Sequence, residues 1–134
     1  MQSHINQAVH NRNFHHCIDT KFAGQYSDWK ITVLYYVAIH YLKALAAKRG
    51  ITLGDTHYDI EHNINPAKDN CRMRITKNAW HHYRSLLKYS RTSRYEGIMD
   101  IAAFESLKEN DHSHCLQHLT AFKNYIIGQE IPLP

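Results

Sequence analysis

The segment YRSLLKYSRTSRYEG, residues 83–97, carries two arginines three positions apart, Arg91 and Arg94. At helical spacing Tyr83, Leu86, Leu87 and Ser90 share one side of a helix, and the next position on that side is Arg94, with Arg91 beside it. An arginine where an apolar stripe predicts a core residue needs an anion, because an unpaired buried charge is strongly destabilising. Two kinds of anion satisfy that need. A carboxylate of the same chain would make a structural ion pair, and Asp28 and Glu96 are the candidates. A phosphate would instead be gripped by the two guanidiniums acting as a fork, with Tyr95 offering its ring to a base.

His40 lies in the most apolar stretch of the chain, ITVLYYVAIHYL, one helical turn after Tyr36. Its spacing allows two uses: a core histidine whose ring nitrogens meet a backbone carbonyl or a tyrosine hydroxyl, or a general acid–base beside the arginines. For metal binding the pattern to weigh is His114 and His118, four apart, with Asp111 and Cys115 nearby. No Cys-x-x-Cys or His-Glu-x-x-His accompanies it, and in a chain with 12 histidines such pairs arise freely. HHC at 15–17 and HH at 81–82 carry less, since adjacent helical residues point in different directions. A Gly-rich phosphate loop, a nucleophile elbow and paired carboxylates are all missing from the sequence, and no cofactor is expected.

These residues belong to a chain of 134 residues with a net charge of +4 and 43% hydrophobic content, values of a single globular domain. The sequence pI of about 9.0 suits a polyanionic partner. Protonation of part of the histidine set should strengthen any anion binding in acid. The longest apolar stretch is too short and too polar at its flanks to span a membrane, and the N-terminal residues lack a signal-peptide pattern. Cys17, Cys71 and Cys115 are odd in number and widely spaced, as suits reduced thiols. The expected setting is the cytoplasm.

The periodicity places five elements. Ile5, Val9, Phe14, Cys17 and Ile18 predict a first helix over 4–18. The segment from Ser27 predicts the best helix in the chain, with Ser27 as N-cap, Asp28 at its positive end, Lys48 and Arg49 at its negative end and Gly50 at C′. Its apolar residues surround most of the circumference, which predicts the centre of a bundle. Thr56 predicts the cap of a short third helix limited by Pro66. Residues 78–95 predict a fourth, with Trp80, Tyr83, Leu86 and Leu87 inward and Gly97 at its end. IMDIAAFESLKEN is open between a short helix and an irregular connection. The last helix is expected over 111–127, entered at Asn110 or Asp111, with Cys115, Leu116, Leu119, Phe122 and Ile126 inward, followed by an extended tail over 129–134. The fold class is therefore all-α, a four- to five-helix up-and-down bundle occupying residues 1–134.

Taken in order, SDWKITVLYYVAIHYLKALAAKRGI, THYDIEH and YRSLLKYSRTSRYE resemble the bacterial helical proteins of the HEPN superfamily (higher eukaryotes and prokaryotes nucleotide-binding). The resemblance rests on the Asp-Trp, Tyr-Tyr and Ala-x-His pattern, a Thr-His after the loop, and the Ser-Arg-x-x-Arg-Tyr ending, and spans roughly residues 5–96. It implies a helical bundle, often homodimeric, that acts on or binds RNA or nucleotides, in many members as a metal-independent ribonuclease of toxin–antitoxin or antiviral systems. It marks His40, His57, Arg91 and Arg94 as catalytic candidates, and Asp28, Tyr36, Ser90 and Tyr95 as ligand-binding candidates. In-line attack by a ribose 2′-hydroxyl would then use His40 or His57 for proton transfer and the arginines for the phosphate charge. The Arg-x4–6-His motif of that superfamily is matched by Arg74 and His81, a spacing this chain also reaches by chance, and Ile75 stands where a polar residue is usual. A non-catalytic nucleotide- or protein-binding module, with a cognate partner protein, is the alternative. Tyr35, Tyr41 and Tyr89 are the aromatics expected at a homodimer interface, or equally beneath the fifth helix.

Overall fold

The computed structural model describes residues 1–92 and 101–134. They form α1 (Gln2–Lys21), α2 (Ser27–Lys48), α3 (His57–Ile64), α4 (Lys77–Thr92) and α5 (Ile101–Gly128), with no strand among the described residues. Cross-helix contacts give the directions. His4 meets His40 while Asp19 meets Lys30, so α1 and α2 are antiparallel. His82 meets His118 and Tyr89 meets His114, so α4 and α5 are antiparallel as well. His15 and Asp19 at the end of α1 lie beside His112 towards the start of α5. The result is an up-and-down bundle of four long helices, with α3 set into the connection between α2 and α4. No helix among the described residues is long and apolar enough to cross a membrane.

α2 occupies the centre because apolar residues face nearly every direction around it, and α1, α4 and α5 all pack on it. Ile31, Leu34, Tyr35, Val37, Ala38, Tyr41, Leu42, Ala44 and Leu45 are all buried. Gly50 ends the helix at φ +67°: its N–H reaches the Ala47 carbonyl and the Ile51 N–H the Ala46 carbonyl, which satisfies two terminal acceptors. Thr56 caps α3 by accepting from the Asp59 N–H at 3.0 Å, and Thr76 accepts from the Ala79 N–H at 3.1 Å to start α4.

Several expectations are corrected. Ser27 is the first helical residue and not the N-cap: Tyr26 takes that place in a left-handed conformation, and the buried Ser27 hydroxyl has no hydrogen-bond partner. The cause is Lys30, 1% exposed, which donates to the Phe22 carbonyl at 2.8 Å and pairs with Asp19 at 3.1 Å, fixing the turn before α2. The first helix forms as its pattern predicts, with Phe14 and Cys17 facing solvent and Ile5, Ala8 and His15 reaching the core. α5 does not begin at Asn110 or Asp111; it runs back to Ile101, and Lys108 donates to Asp111 across one turn. Leu116 is exposed rather than inward. Tyr35 and Tyr41 are buried within one chain and are not available to a second copy, while Tyr89 packs partly buried against the core. The large aromatics that α2 does present are Trp29 at 58% exposure and Tyr36 at 39%.

Candidate functional site

α2, α3 and α4 meet around a chain of hydroxyl and imidazole groups. Tyr35 and Tyr83 face each other across the core, their hydroxyls 3.0 Å apart, and the Tyr35 hydroxyl also lies 3.1 Å from His57 Nδ1. Helical spacing explains the layout. Tyr35 points into the bundle, the adjacent Tyr36 emerges at the surface, and His57, in the first turn of α3, sits against both rings at centroid distances of 5.5 and 6.3 Å. Burial pushes the Tyr35 phenol up to about 12, and burial with the neighbouring Tyr35 pushes Tyr83 higher still. Both therefore remain hydroxyls that share protons rather than lose them. With Nδ1 engaged by Tyr35, Nε2 is the His57 nitrogen left for another group.

Beside this chain Glu61 of α3 receives two arginines of α4. One carboxylate oxygen pairs with Arg84, and the other lies 3.6 Å from Arg91. Glu61 is 17% exposed and Arg91 56%, so the carboxylate is enclosed while the guanidinium reaches solvent. Arg84 also covers the Trp80 ring at 5.6 Å. One carboxylate facing two guanidiniums leaves a net positive charge. It is increased by Lys88 along an open groove of about 470 Å³ lined by His81, Arg84, Ser85, Lys88, Arg91 and Thr92.

The structure brings His57, Tyr36 and Arg91 to this one region and separates His40 from it. His40 is half-buried, not a core residue. Its Nδ1 lies 3.3 Å from Nδ1 of His4, and burial, then His4 and Lys43, lower its pKa to about 4. Among the described residues it meets neither a tyrosine hydroxyl nor an arginine, and its partner there is His4. Arg91 takes Glu61 as its carboxylate and not Asp28, which sits at the far end of α2 from Gly50 and meets no arginine among the described residues. Ser90 is buried on the inner side of α4. Arg94, Tyr95 and Glu96 lie outside the described residues.

Reasoning from sequence missed Glu61, Arg84 and Lys88. Arg84 and Lys88 are four apart on α4 with Arg91 one turn further, a spacing that marks a basic face. Glu61 carried no such signal, since its partners are 23 and 30 positions away. The metal pattern at His114 and His118 also differs. Asp111 is held by Lys108, and among the described residues neither Asp111 nor Cys115 falls within metal-ligating distance of a histidine cluster. Comparison of the chain with protein-family models, curated proteins and solved structures finds no match.

Proposed function

We propose that this chain is a HEPN-like helical protein that binds RNA or nucleotides through the basic groove of α4. The observation that carries the reading is Glu61, a single enclosed carboxylate facing two guanidiniums, which leaves the arginine pair under-neutralised beside Lys88. A phosphate completes that balance better than water does. The test is fluorescence anisotropy with a labelled single-stranded RNA over a range of salt. Lys88→Ala and Arg91→Ala should each weaken binding and lower the log–log salt slope by about 0.7 for each phosphate left without its cation. Absence of binding at low salt, or binding indifferent to both substitutions, overturns the reading.

One observation favours turnover as a second reading: Tyr35 holds His57 by Nδ1, the arrangement by which an imidazole is oriented to move protons through its other nitrogen. RNA incubated with the protein in EDTA should then yield cyclic-phosphate ends, lost in His57→Ala. Intact RNA at high protein concentration removes cleavage and leaves the binding module.

A further inference from the structure

Three imidazoles converge where the first half of α4 faces the middle of α5. His82 Nδ1 and His118 Nδ1 are 2.9 Å apart, and His118 also meets the His81 ring edge-on at a centroid distance of 5.6 Å. One nitrogen from each of His81, His82 and His118 lies within 4.8 Å of the others. His81 and His82 are neighbours on one helix and diverge, and α5 supplies a ring that reaches both. We propose that His81, His82 and His118 form a binding site for a divalent transition-metal ion of the zinc, cobalt, nickel and copper group.

The donor set selects that group. Neutral imidazole nitrogen suits these ions, whereas magnesium and calcium require oxygen ligands, and no carboxylate belongs to the cluster. Metal–nitrogen bonds of about 2.0–2.1 Å place tetrahedral ligands roughly 3.3 Å apart. The closest pair must therefore open slightly, while the exposed His81 ring swings inward. Burial and the surrounding imidazoles lower the pKa values of His82 and His118, which favours the neutral rings that a metal binds. The helix framework holds the ligand backbones, and three protein ligands leave a coordination position for water or an anion. The inference does not depend on the RNA reading, because its measurements involve no nucleic acid.

The experiment is titration of the full chain with Co(II) and then Zn(II), followed by visible absorption and by competition with a chromophoric chelator. One equivalent should bind, the Co(II) complex should show the intensified visible bands of a low-coordinate nitrogen site, and Zn(II) should displace it and raise the melting temperature. His81→Gln and His118→Gln should each weaken binding by about tenfold or more and abolish the thermal shift. His10→Gln, an exposed residue of α1, should change neither. The exposure of His81 makes its variant safe for folding, which circular dichroism checks directly. The proposal fails if no single equivalent binds, if both variants bind like the parent protein, or if only His118→Gln loses binding.

Discussion

Acid should destabilise this protein through a pair of histidines that no water separates. His15 Nε2 and His112 Nε2 lie 2.8 Å apart between α1 and α5 and are both buried, so one nitrogen must donate and the other accept. The groups facing them are Asp19, Lys30 and Arg12 around His15, and Asp19, Lys30 and Glu109 around His112. Burial, then the His112 imidazole, lowers the His15 pKa from 6.5 to about 4, and burial lowers that of His112 too. The unfolded chain therefore takes up protons first as pH falls. Stability present above pH 6.5 is lost progressively towards pH 4, and for His15 alone the loss integrates to about 2 kcal/mol at pH 5. A second proton would make both Nε2 atoms donors and break the pair. For a domain of this size the loss corresponds to roughly 8 °C in melting temperature between pH 7.5 and 5. Thermal melts followed by circular dichroism measure it, with the double variant His15→Leu, His112→Leu as comparison. At least half of the pH dependence should vanish in that variant. A parent protein that melts at the same temperature throughout, or a double variant that keeps the whole slope, refutes the reasoning.

Tyr35→Phe should cost about 1–3 kcal/mol, read by urea denaturation, because it leaves the buried Tyr83 hydroxyl without its partner and frees His57. Tyr83→Phe should cost less, because Tyr35 keeps His57 as a partner, and a neutral Tyr35→Phe would dissolve the shared bond. Asp19→Ala should be worse than Lys30→Met although Asp19 is the more exposed, since it leaves a buried ammonium with the Phe22 carbonyl as its one remaining partner among the described residues. Equal melting temperatures in the two variants would contradict that order. Gly54→Ala should destabilise by more than about 1 kcal/mol, because φ is +97° there and the new Cβ would meet Asp59 Cβ at 2.6 Å.

The bundle was readable wherever local chemistry decides. Gly50, Thr56 and Pro66 mark their helix ends by conformational preference and capping alone, and the apolar circumference of α2 required a covering on all sides. α5 was misjudged because its first turns carry little that is buried: Ile101 and Leu107 face outward, and Lys108 is the first buried residue. The pattern there lacks the apolar stripe that announces a helix. Ser27 misled for a different reason, since the turn before it is fixed by Lys30 reaching back to Asp19 and Phe22, an interaction no capping rule contains. At the candidate site Arg91 was legible as a charge in need of an anion, yet its choice of Glu61 over Asp28 depends on the fold bringing α3 beside Arg84 and Arg91 of α4. The histidine pairs were least legible. His4 with His40, His15 with His112 and His82 with His118 each join two helices, and spacing within one helix says nothing about them.

The placement of those pairs along the chain also orders assembly. α1 and α2 are joined by a short turn and are pinned at it by Lys30, so they can zip together with little loss of chain freedom. α5 packs on α4 close in sequence, but its meeting with α1 spans 97 positions, and closing a loop of that length costs about 4 kcal/mol of entropy. The two-helix hairpin should therefore form early and α5 should dock late, so that under native conditions α5 is also the first element to open. Hydrogen exchange should find the slowest amides in α2 and a lower opening free energy along α5, whereas equal protection in both would mean that they open as a single unit. In that order of events the His15–His112 pair is a seam sealed at the end of folding, and protons reach it each time α5 lifts away.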